Sequence, residues 1–276
     1  MTRVFGVLGY PISHSLSPVM HRAAFHALGL DALYAPFEVP PAQLGKVLRG
    51  LRAAGIDGLN VTVPLKERVV RYADRLVDEA KVLRAVNTLL VRDGRLIGYN
   101  TDVIGFLRAL KALGWTPRPC AAVILGAGGT AKAVAWALTR YPRTTLTIVN
   151  RHPAGARRLA RWLMRHRPAC QVVIRSLQEV SLRGQELLIN ATSVGMSAGD
   201  SMIIDAGALH RDLVVYDVVY NRLTPLVRAA QRRGCLAANG VSMLVYQGAE
   251  SFRLWWRREP PITAMRRAVE EALCRT

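Results

Sequence analysis

The clearest indication of the fold of this 276-residue chain is the stretch at residues 121–131, Ala-Ala-Val-Ile-Leu-Gly-Ala-Gly-Gly-Thr-Ala. The apolar run 121–125 predicts a buried strand, and a helix-forming run follows the glycines. Gly-x-Gly-x-x-Ala between a strand and a helix is typical of a dinucleotide-binding turn. Gly126 permits the tight turn, Gly128 lets a pyrophosphate approach the backbone, and Ala131 lets helix and strand pack closely. The predicted Rossmann-type cofactor site therefore includes Gly126, Ala127, Gly128, Gly129, Thr130 and Ala131.

The next predicted strand ends in Asn150-Arg151-His152, where an NAD site would place an acidic residue for the ribose hydroxyls. A carboxylate there would repel a 2′-phosphate, whereas the Arg151 guanidinium can pair with one. We therefore expect NADP(H) as the cofactor, with Asn150, Arg151 and His152 at its adenosine end. The alternative is that Arg151 only begins an arginine-rich helix, since five more arginines follow between residues 157 and 167.

Short apolar runs alternate with amphipathic stretches along the whole chain, which predicts an α/β protein with mostly parallel sheets. We expect an N-terminal α/β substrate domain at residues 1–102, completed by C-terminal helices within 242–276. A C-terminal Rossmann-type NADP-binding domain would occupy residues 103–241. Within the chain, residues 114–119 contain Gly114 and two prolines and mark the clearest break between a helix and a strand.

The charge balance is unusual, because 38 Lys and Arg face only 19 Asp and Glu, a formal net charge of +19. Such a charge suits nucleic acid, an anionic membrane surface or a small polyanionic ligand. The basic residues are 33 arginines and 5 lysines spread over the whole chain, which favours a composition bias over a dedicated patch. Hydrophobic residues make up 51% of the chain, which excludes disorder.

Cysteine and histidine spacing predicts neither a metal site nor a disulfide framework. The four cysteines are far apart in sequence, and the six histidines form no zinc motif. No stretch approaches the ~20 apolar residues that cross a bilayer, and no nucleic-acid recognition motif is present. We expect a cytoplasmic chain with reduced thiols and a small-molecule substrate, with neither nucleic acid nor membrane as a partner.

Four polar segments of the first domain lie where strands end or helices begin, at the edge where open α/β sheets bind ligands. They are residues 14–18, 60–66, 85–88 and 98–102. Their hydroxyl and amide groups suggest a hydroxylated ligand, and Lys66 and Asp102 are the ionisable candidates for chemistry. Each segment has an ordinary structural alternative. Ser17 suits a helix cap, Asn60 and Asn87 suit turns, and Lys66 suits a solvated helix start.

Taken together, these segments resemble the shikimate dehydrogenase family, and the second half of the chain carries further matching motifs. These are residues 190–196 (NATSVGM), 217–220 (DVVY), 224–226 (TPL) and 239–247 (NGVSMLVYQ). The resemblance spans essentially the whole chain. It implies a reversible, NADP-linked reduction of 3-dehydroshikimate to shikimate, on the route through chorismate to the aromatic amino acids.

The resemblance also implies a role for each motif residue. Residues that would bind the substrate carboxylate are Ser15, Ser17 and Tyr220. Residues that would hold its ring hydroxyls are Asn60, Thr62, Asn87, Asp102 and Gln247. Lys66, as general acid and base, and Asp102 would form the catalytic pair, and which of the two carries the proton stays open. Residues that would line the nicotinamide half are Thr192, Ser193, Met196, Val218 and Gly240.

His152 departs from the family pattern, which often has Thr after Asn-Arg. An imidazole can also donate to a phosphate or stack on adenine, so the strictness of NADP selection over NAD stays open. Three other functions remain as alternatives: a quinate dehydrogenase, a nucleic-acid-binding protein on a Rossmann scaffold, and a catalytically dead homologue. The oligomeric state is expected to be monomer or homodimer.

Overall fold

The computed structural model describes residues 1–275, and the chain forms two compact units. Unit 1 contains Met1–Gly105 and the segment from Leu244 onward, and unit 2 contains Phe106–Met243. The junctions therefore lie a few residues beyond 102/103 and 241/242. The Gly114 break lies inside unit 2, where it joins a helix to the first strand of that unit.

The described residues contain twelve strands and nine α-helices. The strands are β1 Arg3–Gly9, β2 Ala32–Glu38, β3 Gly58–Val61, β4 Arg75–Leu76, β5 Thr88–Arg92, β6 Arg95–Tyr99, β7 Ala121–Leu125, β8 Thr145–Val149, β9 Gln171–Arg175, β10 Leu187–Asn190, β11 Val214–Asp217 and β12 Leu236–Ala238. The helices are α1 Ser17–Ala27, α2 Leu44–Ala53, α3 Glu79–Leu83, α4 Asp102–Leu113, α5 Gly129–Leu138, α6 Pro153–His166, α7 Pro225–Arg232, α8 Val241–Trp256 and α9 Ile262–Cys274.

Sheet 1, in unit 1, has the strand order β2-β1-β3-β5-β6-β4. β1 pairs in parallel with β2 and β3, whereas β5 runs antiparallel to both β3 and β6. The β5–β6 hairpin turns at Asp93-Gly94, where both residues have positive φ, as the commonest two-residue hairpin turn requires. Because β6 then runs in the same direction as β3, the segments after both strands reach one edge of the sheet.

Sheet 2, in unit 2, has the order β12-β11-β10-β7-β8-β9 and is parallel throughout. The chain enters at β7, adds β8 and β9 on one side, and then adds β10 to β12 on the other. This is the doubly wound order, whose ligand crevice lies at the carboxyl ends of the two central strands, here β7 and β10. The predicted α/β class with a Rossmann-type second half is confirmed.

Each sheet is stabilised by its own apolar core. Fully buried Leu8, Leu59 and Leu89 belong to the core of unit 1, and fully buried Val123, Leu188 and Val215 belong to that of unit 2. The parallel strands β7 and β10 are almost entirely buried, as expected for strands covered on both faces. Within residues 1–275, no helix is long and apolar enough to span a membrane.

Candidate active site

Lys66 and Asp102 form an ion pair at the carboxyl edge of sheet 1, with Lys66 Nζ 2.6 Å from Asp102 Oδ2. Lys66 lies in the turn after β3, and Asp102 is the first residue of α4, after β6. Their side chains are 13% and 5% exposed, so the pair is largely shielded from solvent. The arrangement places an ammonium group, which can carry a proton, beside a fixed carboxylate, as general acid–base chemistry requires.

Asn87, just before β5, holds the second carboxylate oxygen of Asp102. Its Nδ2 donates to Asp102 Oδ1 at 2.8 Å and lies 3.2 Å from Gln247 Oε1. The Thr101 backbone N–H donates to Asn87 Oδ1 at 2.8 Å, and the Thr88 hydroxyl donates to the same oxygen at 3.0 Å. Because a backbone N–H only donates, the Thr101 bond fixes which end of the Asn87 amide faces Asp102.

Asn60, at the third position of β3, faces a buried polar cluster. Its Nδ2 lies 3.2 Å from the Asn87 carbonyl oxygen and 3.0 Å from Ser251 Oγ, and its Oδ1 accepts a hydrogen bond from the Tyr34 hydroxyl at 2.7 Å. The donors of the Asn60 amide are thus used by protein partners, which leaves one acceptor lone pair on Oδ1 for a ligand. Asn60 also supports the backbone of Asn87.

Helix α8 brings Gln247 and Ser251 to this cluster, because the two residues are one turn apart on the same face. The Trp255 indole N–H, a further turn along, donates to the Leu89 carbonyl of β5 at 3.0 Å. A Cβ at Gly58 would lie 2.3 Å from Trp255 Nε1, so only glycine lets α8 approach β3 this closely. The glycine at this position therefore helps to set where Gln247 reaches Asn87.

The predicted carboxylate-binding serines lie at the start of α1. The Ser17 backbone N–H donates to Ser15 Oγ at 3.3 Å, so the two residues are held together. The helix cap is Leu16, with no side-chain cap bond, so the alternative role of Ser17 as a cap is wrong. Thr62 is half-buried directly after β3, on the same edge of sheet 1 as Lys66.

His21 is fully buried behind this region and stacks on the Tyr34 ring at a centroid distance of 4.5 Å. Neither ring nitrogen has a partner with hydrogen-bond geometry among residues 1–275. Burial lowers the pKa of the His21 imidazole to about 3, and the neighbouring Asn60 amide opposes that shift. His21 is therefore neutral at neutral pH, and it packs as an aromatic ring.

The glycine turn after β7 has the geometry that its sequence predicts. Gly126 has φ +110°, and a Cβ there would lie 2.9 Å from the Ala191 carbonyl oxygen beyond β10. A Cβ at Gly128, by contrast, would meet no atom within 4 Å, which leaves open space beside the turn. Helix α5 begins at Gly129, and its cap residue, Gly128, has no side chain that could accept from the first N–H groups.

The segment after β8 lies against this turn. Asn150 Nδ2 donates to the His152 carbonyl at 2.8 Å, and a Cβ at Gly155 would lie 2.9 Å from Asn150 Nδ2 and 3.5 Å from Ala127 Cβ. Arg151 and His152 are exposed, and His152 precedes α6 without forming a side-chain cap bond. Asn150 thus orders the backbone that presents the exposed Arg151 side chain.

A buried cluster at the ends of β10 and β11 holds the predicted nicotinamide loop. Asn190 Nδ2 donates to Asp217 Oδ1 at 2.9 Å, and its Oδ1 accepts from the Thr192 hydroxyl at 2.6 Å. Asp217 Oδ2 accepts from the Thr224 hydroxyl at 2.7 Å. Burial raises the pKa of the Asp217 carboxyl, and its hydrogen bonds from Thr224, Val219 and Asn190 oppose that shift. The side chains of Asn190 and Asp217 therefore bond to other protein groups and hold the loop in place.

The remaining predicted residues of unit 2 follow the same strand ends. Ser193 is exposed and Met196 half-buried in the loop after β10, and Val218 and Tyr220 are half-buried after β11. Gly240 packs directly on this segment, because a Cβ there would lie 2.1 Å from the Val218 carbonyl oxygen. Within unit 2, these residues all lie beyond the carboxyl ends of the strands, as ligand-binding residues of doubly wound sheets do.

Two curated relatives match nearly the whole chain. Both are named shikimate dehydrogenase (NADP(+)); one from Thermococcus kodakarensis is 45% identical and covers 99% of this chain and 97% of its own length. The other, from Methanothermobacter thermautotrophicus, is 42% identical and covers 99% and 98%.

The chain belongs to the shikimate dehydrogenase family. Family models agree: the shikimate dehydrogenase substrate-binding domain matches residues 7–89, and the shikimate 5′-dehydrogenase C-terminal domain matches residues 240–270.

Solved structures of similar proteins share the fold over nearly their full length. A shikimate dehydrogenase in complex with NADP⁺ is 38% identical, with a TM-score of 0.94 and coverage of 99% of this chain and 96% of that one. The Thermus thermophilus shikimate 5-dehydrogenase in complex with NADP(H) and shikimate is 37% identical (TM-score 0.88, coverage 98% and 100%). A quinate dehydrogenase from Corynebacterium glutamicum in complex with NAD is 30% identical (TM-score 0.89, coverage 98% and 99%).

Two residues that organise this site, Tyr34 and Ser251, are not among those that the sequence indicates. Thr88 and Thr101 lie within the polar segments 85–88 and 98–102, but the sequence assigns them no role. Ser251 carries a weak signal, because it lies one helical turn after Gln247.

Proposed function

We propose that this chain catalyses the reversible, NADP-linked reduction of 3-dehydroshikimate to shikimate, a step on the route to chorismate and the aromatic amino acids. The observation that carries the proposal is the shielded Lys66–Asp102 pair, with Nζ and Oδ2 2.6 Å apart, in a chain of this family. In this proposal most of the substrate-binding residues belong to unit 1, and the cofactor-binding residues belong to unit 2.

The residues of unit 2 fit an NADP(H) molecule. The open space beside Gly128 and the uncapped start of α5 suit a pyrophosphate, which helix N-termini bind through free N–H groups. The exposed guanidinium of Arg151 suits a 2′-phosphate. Residues proposed to complete the cofactor site are Ala127, Thr130, Ala131, Asn150, His152, Thr192, Ser193, Met196, Val218 and Gly240. The cofactor, when bound, supplies or accepts the hydride.

In this proposal Lys66 is the proton donor and acceptor. Reduction of the ketone turns its oxygen into an alkoxide, and a donor aimed at that oxygen stabilises the developing charge. Lys66 Nζ donates one of its three N–H bonds to Asp102 Oδ2 and keeps two for the substrate oxygen. Lys66 gives a proton in reduction and takes it back in oxidation, while Asp102 and Asn87 keep Nζ in place.

The polar groups around the pair suit a hydroxylated ring. Asn87 and Gln247 contact one another beside Asp102, and Thr62 follows β3 on the same edge. We assign ring hydroxyls to these groups and to the remaining Oδ1 lone pair of Asn60. The substrate carboxylate goes to the hydroxyls of Ser15, Ser17 and Tyr220.

An assay of NADP⁺ reduction at 340 nm with shikimate tests the proposed function. We expect turnover with shikimate and NADP⁺ to exceed turnover with quinate, and turnover with NADP⁺ to exceed that with NAD⁺. Faster turnover with quinate would assign the chain to the quinate alternative, which the quinate dehydrogenase among the similar structures makes worth testing. No turnover with either substrate would overturn the proposal.

We also propose a cytoplasmic location and a monomeric or homodimeric state. The cysteines support the location, because Cys120, Cys170, Cys235 and Cys274 are all free thiols. Light scattering of the purified protein distinguishes monomer from dimer, and a larger assembly would contradict the proposal.

A further inference from the structure

Most of the net positive charge of the chain lies in one segment. Residues 103–178 contain 13 Lys and Arg and no Asp or Glu, whereas the other 200 residues contain 25 basic and 19 acidic residues. The basic residues are thus spread along the chain, but the net charge is not, because residues 103–178 carry +13 of the +19. The acid-free segment contains all but the first residue of α4 and then β7, β8 and β9 with α5 and α6, the half of sheet 2 that carries the glycine turn and Arg151.

Helix α6 carries the densest part of this charge on its outer face. Gly155, Ala156, Leu159, Ala160 and Leu163 form its buried side. The opposite side exposes four arginines, here called the α6 arginine face: Arg157, Arg158, Arg161 and Arg165. Among residues 1–275, none of the four forms an ion pair. Three of them are spaced four residues apart, and like charges at that spacing destabilise a helix. The arrangement therefore weakens α6.

Helix α9 shows that this chain balances helical arginines elsewhere. Arg266 pairs with Glu270 at 3.8 Å, and Arg267 pairs with Glu271 at 2.6 Å, both at i,i+4 spacing. An excess of arginine from composition alone would place arginines on α6 without removing every carboxylate around them. The α6 arginine face is thus a local feature, and its unbalanced charge suits an anionic ligand.

The position of α6 connects this face to the cofactor site. The close approach of Gly155 to Asn150 and Ala127 puts the first turn of α6 against the glycine turn. Arg157 and Arg158 follow within a turn of Gly155, at a rise of about 1.5 Å per residue. Lys132 of α5 extends the positive charge, with Nζ 4.6 Å from the Trp162 ring of α6.

We propose that the α6 arginine face steers NADP(H) to its site by long-range attraction, and so raises the association rate for the phosphorylated cofactor over NAD(H). The inference rests on the proposed function. Clefts bordered by one sign of charge raise association rates by about 10–10³-fold, and salt suppresses the effect. At 0.15 M salt the screening length is about 8 Å, so the arginines nearest the start of α6 contribute most. The 2′-phosphate gives NADPH about two more negative charges than NADH carries, and the attraction scales with them.

Stopped-flow fluorescence of NADPH binding to the full chain tests this proposal with the variant R157E/R161E/R165E. We expect its association rate constant to fall roughly tenfold at 20 mM salt, with the dissociation rate constant changed less than twofold. The loss should shrink toward nothing at 0.5 M salt and should be smaller for NADH. The control R49E/R92E/R95E changes the charge equally at exposed positions of unit 1 and should keep a rate close to that of the wild type.

Several results would overturn the steering proposal. One is an unchanged association rate in the α6 variant, and another is an equal loss in the control, which would reflect net charge alone. An unchanged association rate with faster dissociation of NADPH would mean that the α6 arginine face contacts the bound cofactor directly. Unchanged NADPH kinetics together with loss of double-stranded DNA binding would assign the face to nucleic acid. Equilibrium titration of the wild type with NADPH distinguishes the steering proposal from the proposed function. No binding of NADPH would contradict both. Binding with an association rate that does not depend on salt would contradict only the steering proposal. Thermal melts confirm that each variant is folded.

Discussion

The backbone N–H of Thr101 donates to Oδ1 of Asn87 at 2.8 Å, and this single bond decides that Asn87 presents its Nδ2 to Asp102. The Asp102 carboxylate is therefore held at both oxygens, by Lys66 Nζ on Oδ2 and by Asn87 on Oδ1. A carboxylate fixed in this way cannot rotate without breaking one of the two contacts. The position of the Lys66 ammonium is set by the same bonds.

Asn87→Asp should remove this support with almost no change of shape. The new carboxylate would lie where Nδ2 now lies, 2.8 Å from Asp102 Oδ1, and two carboxylates at that distance cannot both remain ionised. We expect kcat/KM for shikimate to fall by roughly 10²-fold or more. NADPH affinity, measured by fluorescence titration, should stay within twofold, since Asn87 belongs to unit 1. A variant with wild-type kcat/KM would show that the amide orientation does not matter.

Alanine at two glycines of unit 2 should have different effects, on cofactor binding in one case and on stability in the other. Gly128→Ala adds a Cβ to open space, so urea unfolding should show the wild-type stability, while KM for NADP⁺ should rise roughly tenfold, about 1.4 kcal/mol of binding free energy. Gly240→Ala places a Cβ 2.1 Å from the Val218 carbonyl oxygen and should lower the free energy of unfolding by about 1–3 kcal/mol. If Gly128→Ala left KM for NADP⁺ unchanged, the pyrophosphate would lie elsewhere.

His21 should make the protein less stable in acid. The unfolded chain binds a proton at this imidazole below pH 6.5, whereas burial lowers the pKa of His21 in the folded chain to about 3. Stability is therefore lost as pH falls from 6.5 toward 3, by about 1.4 kcal/mol per unit and about 2 kcal/mol by pH 5. His21→Phe should remove that part of the pH dependence. The control His26→Phe, at an exposed position, should not. Urea unfolding at pH 7 and pH 5 measures the difference, and equal pH dependence in all three proteins would contradict the prediction.

The sequence predicted the parts of the fold that depend on local pattern. The strand and glycines at 121–131 predicted β7, its turn and α5, and the doubly wound sheet around them is confirmed. The antiparallel β5 was not predicted, although Asp93-Gly94 is a strong hairpin signal. That signal lies between two short apolar runs with no helix between them, so it does not follow the strand–helix alternation of the rest of the chain.

For the candidate site, the sequence predicted the motif residues but not all of the contacts between them. The sequence singled out Lys66, Asp102 and Asn87 through their motifs, and their roles in the reaction remain predictions. The contact of Ser251 with Asn60 joins residues 191 positions apart, and only the packing of α8 on β3 brings them together. The arginines at 157–167 are evident in the sequence, whereas the absence of acidic residues from 103–178 does not show in the net charge of the whole chain.

The most direct test of the account is the turnover of Lys66→Met with shikimate and NADP⁺, beside the control Lys46→Met, whose lysine is exposed on α2. Methionine keeps the unbranched chain of lysine as far as Cε and removes the ammonium group that transfers the proton. We predict that kcat of Lys66→Met falls by roughly 10²–10⁴-fold, with NADPH affinity unchanged and the control fully active. A Lys66→Met protein that keeps most of its turnover would contradict the central role of Lys66.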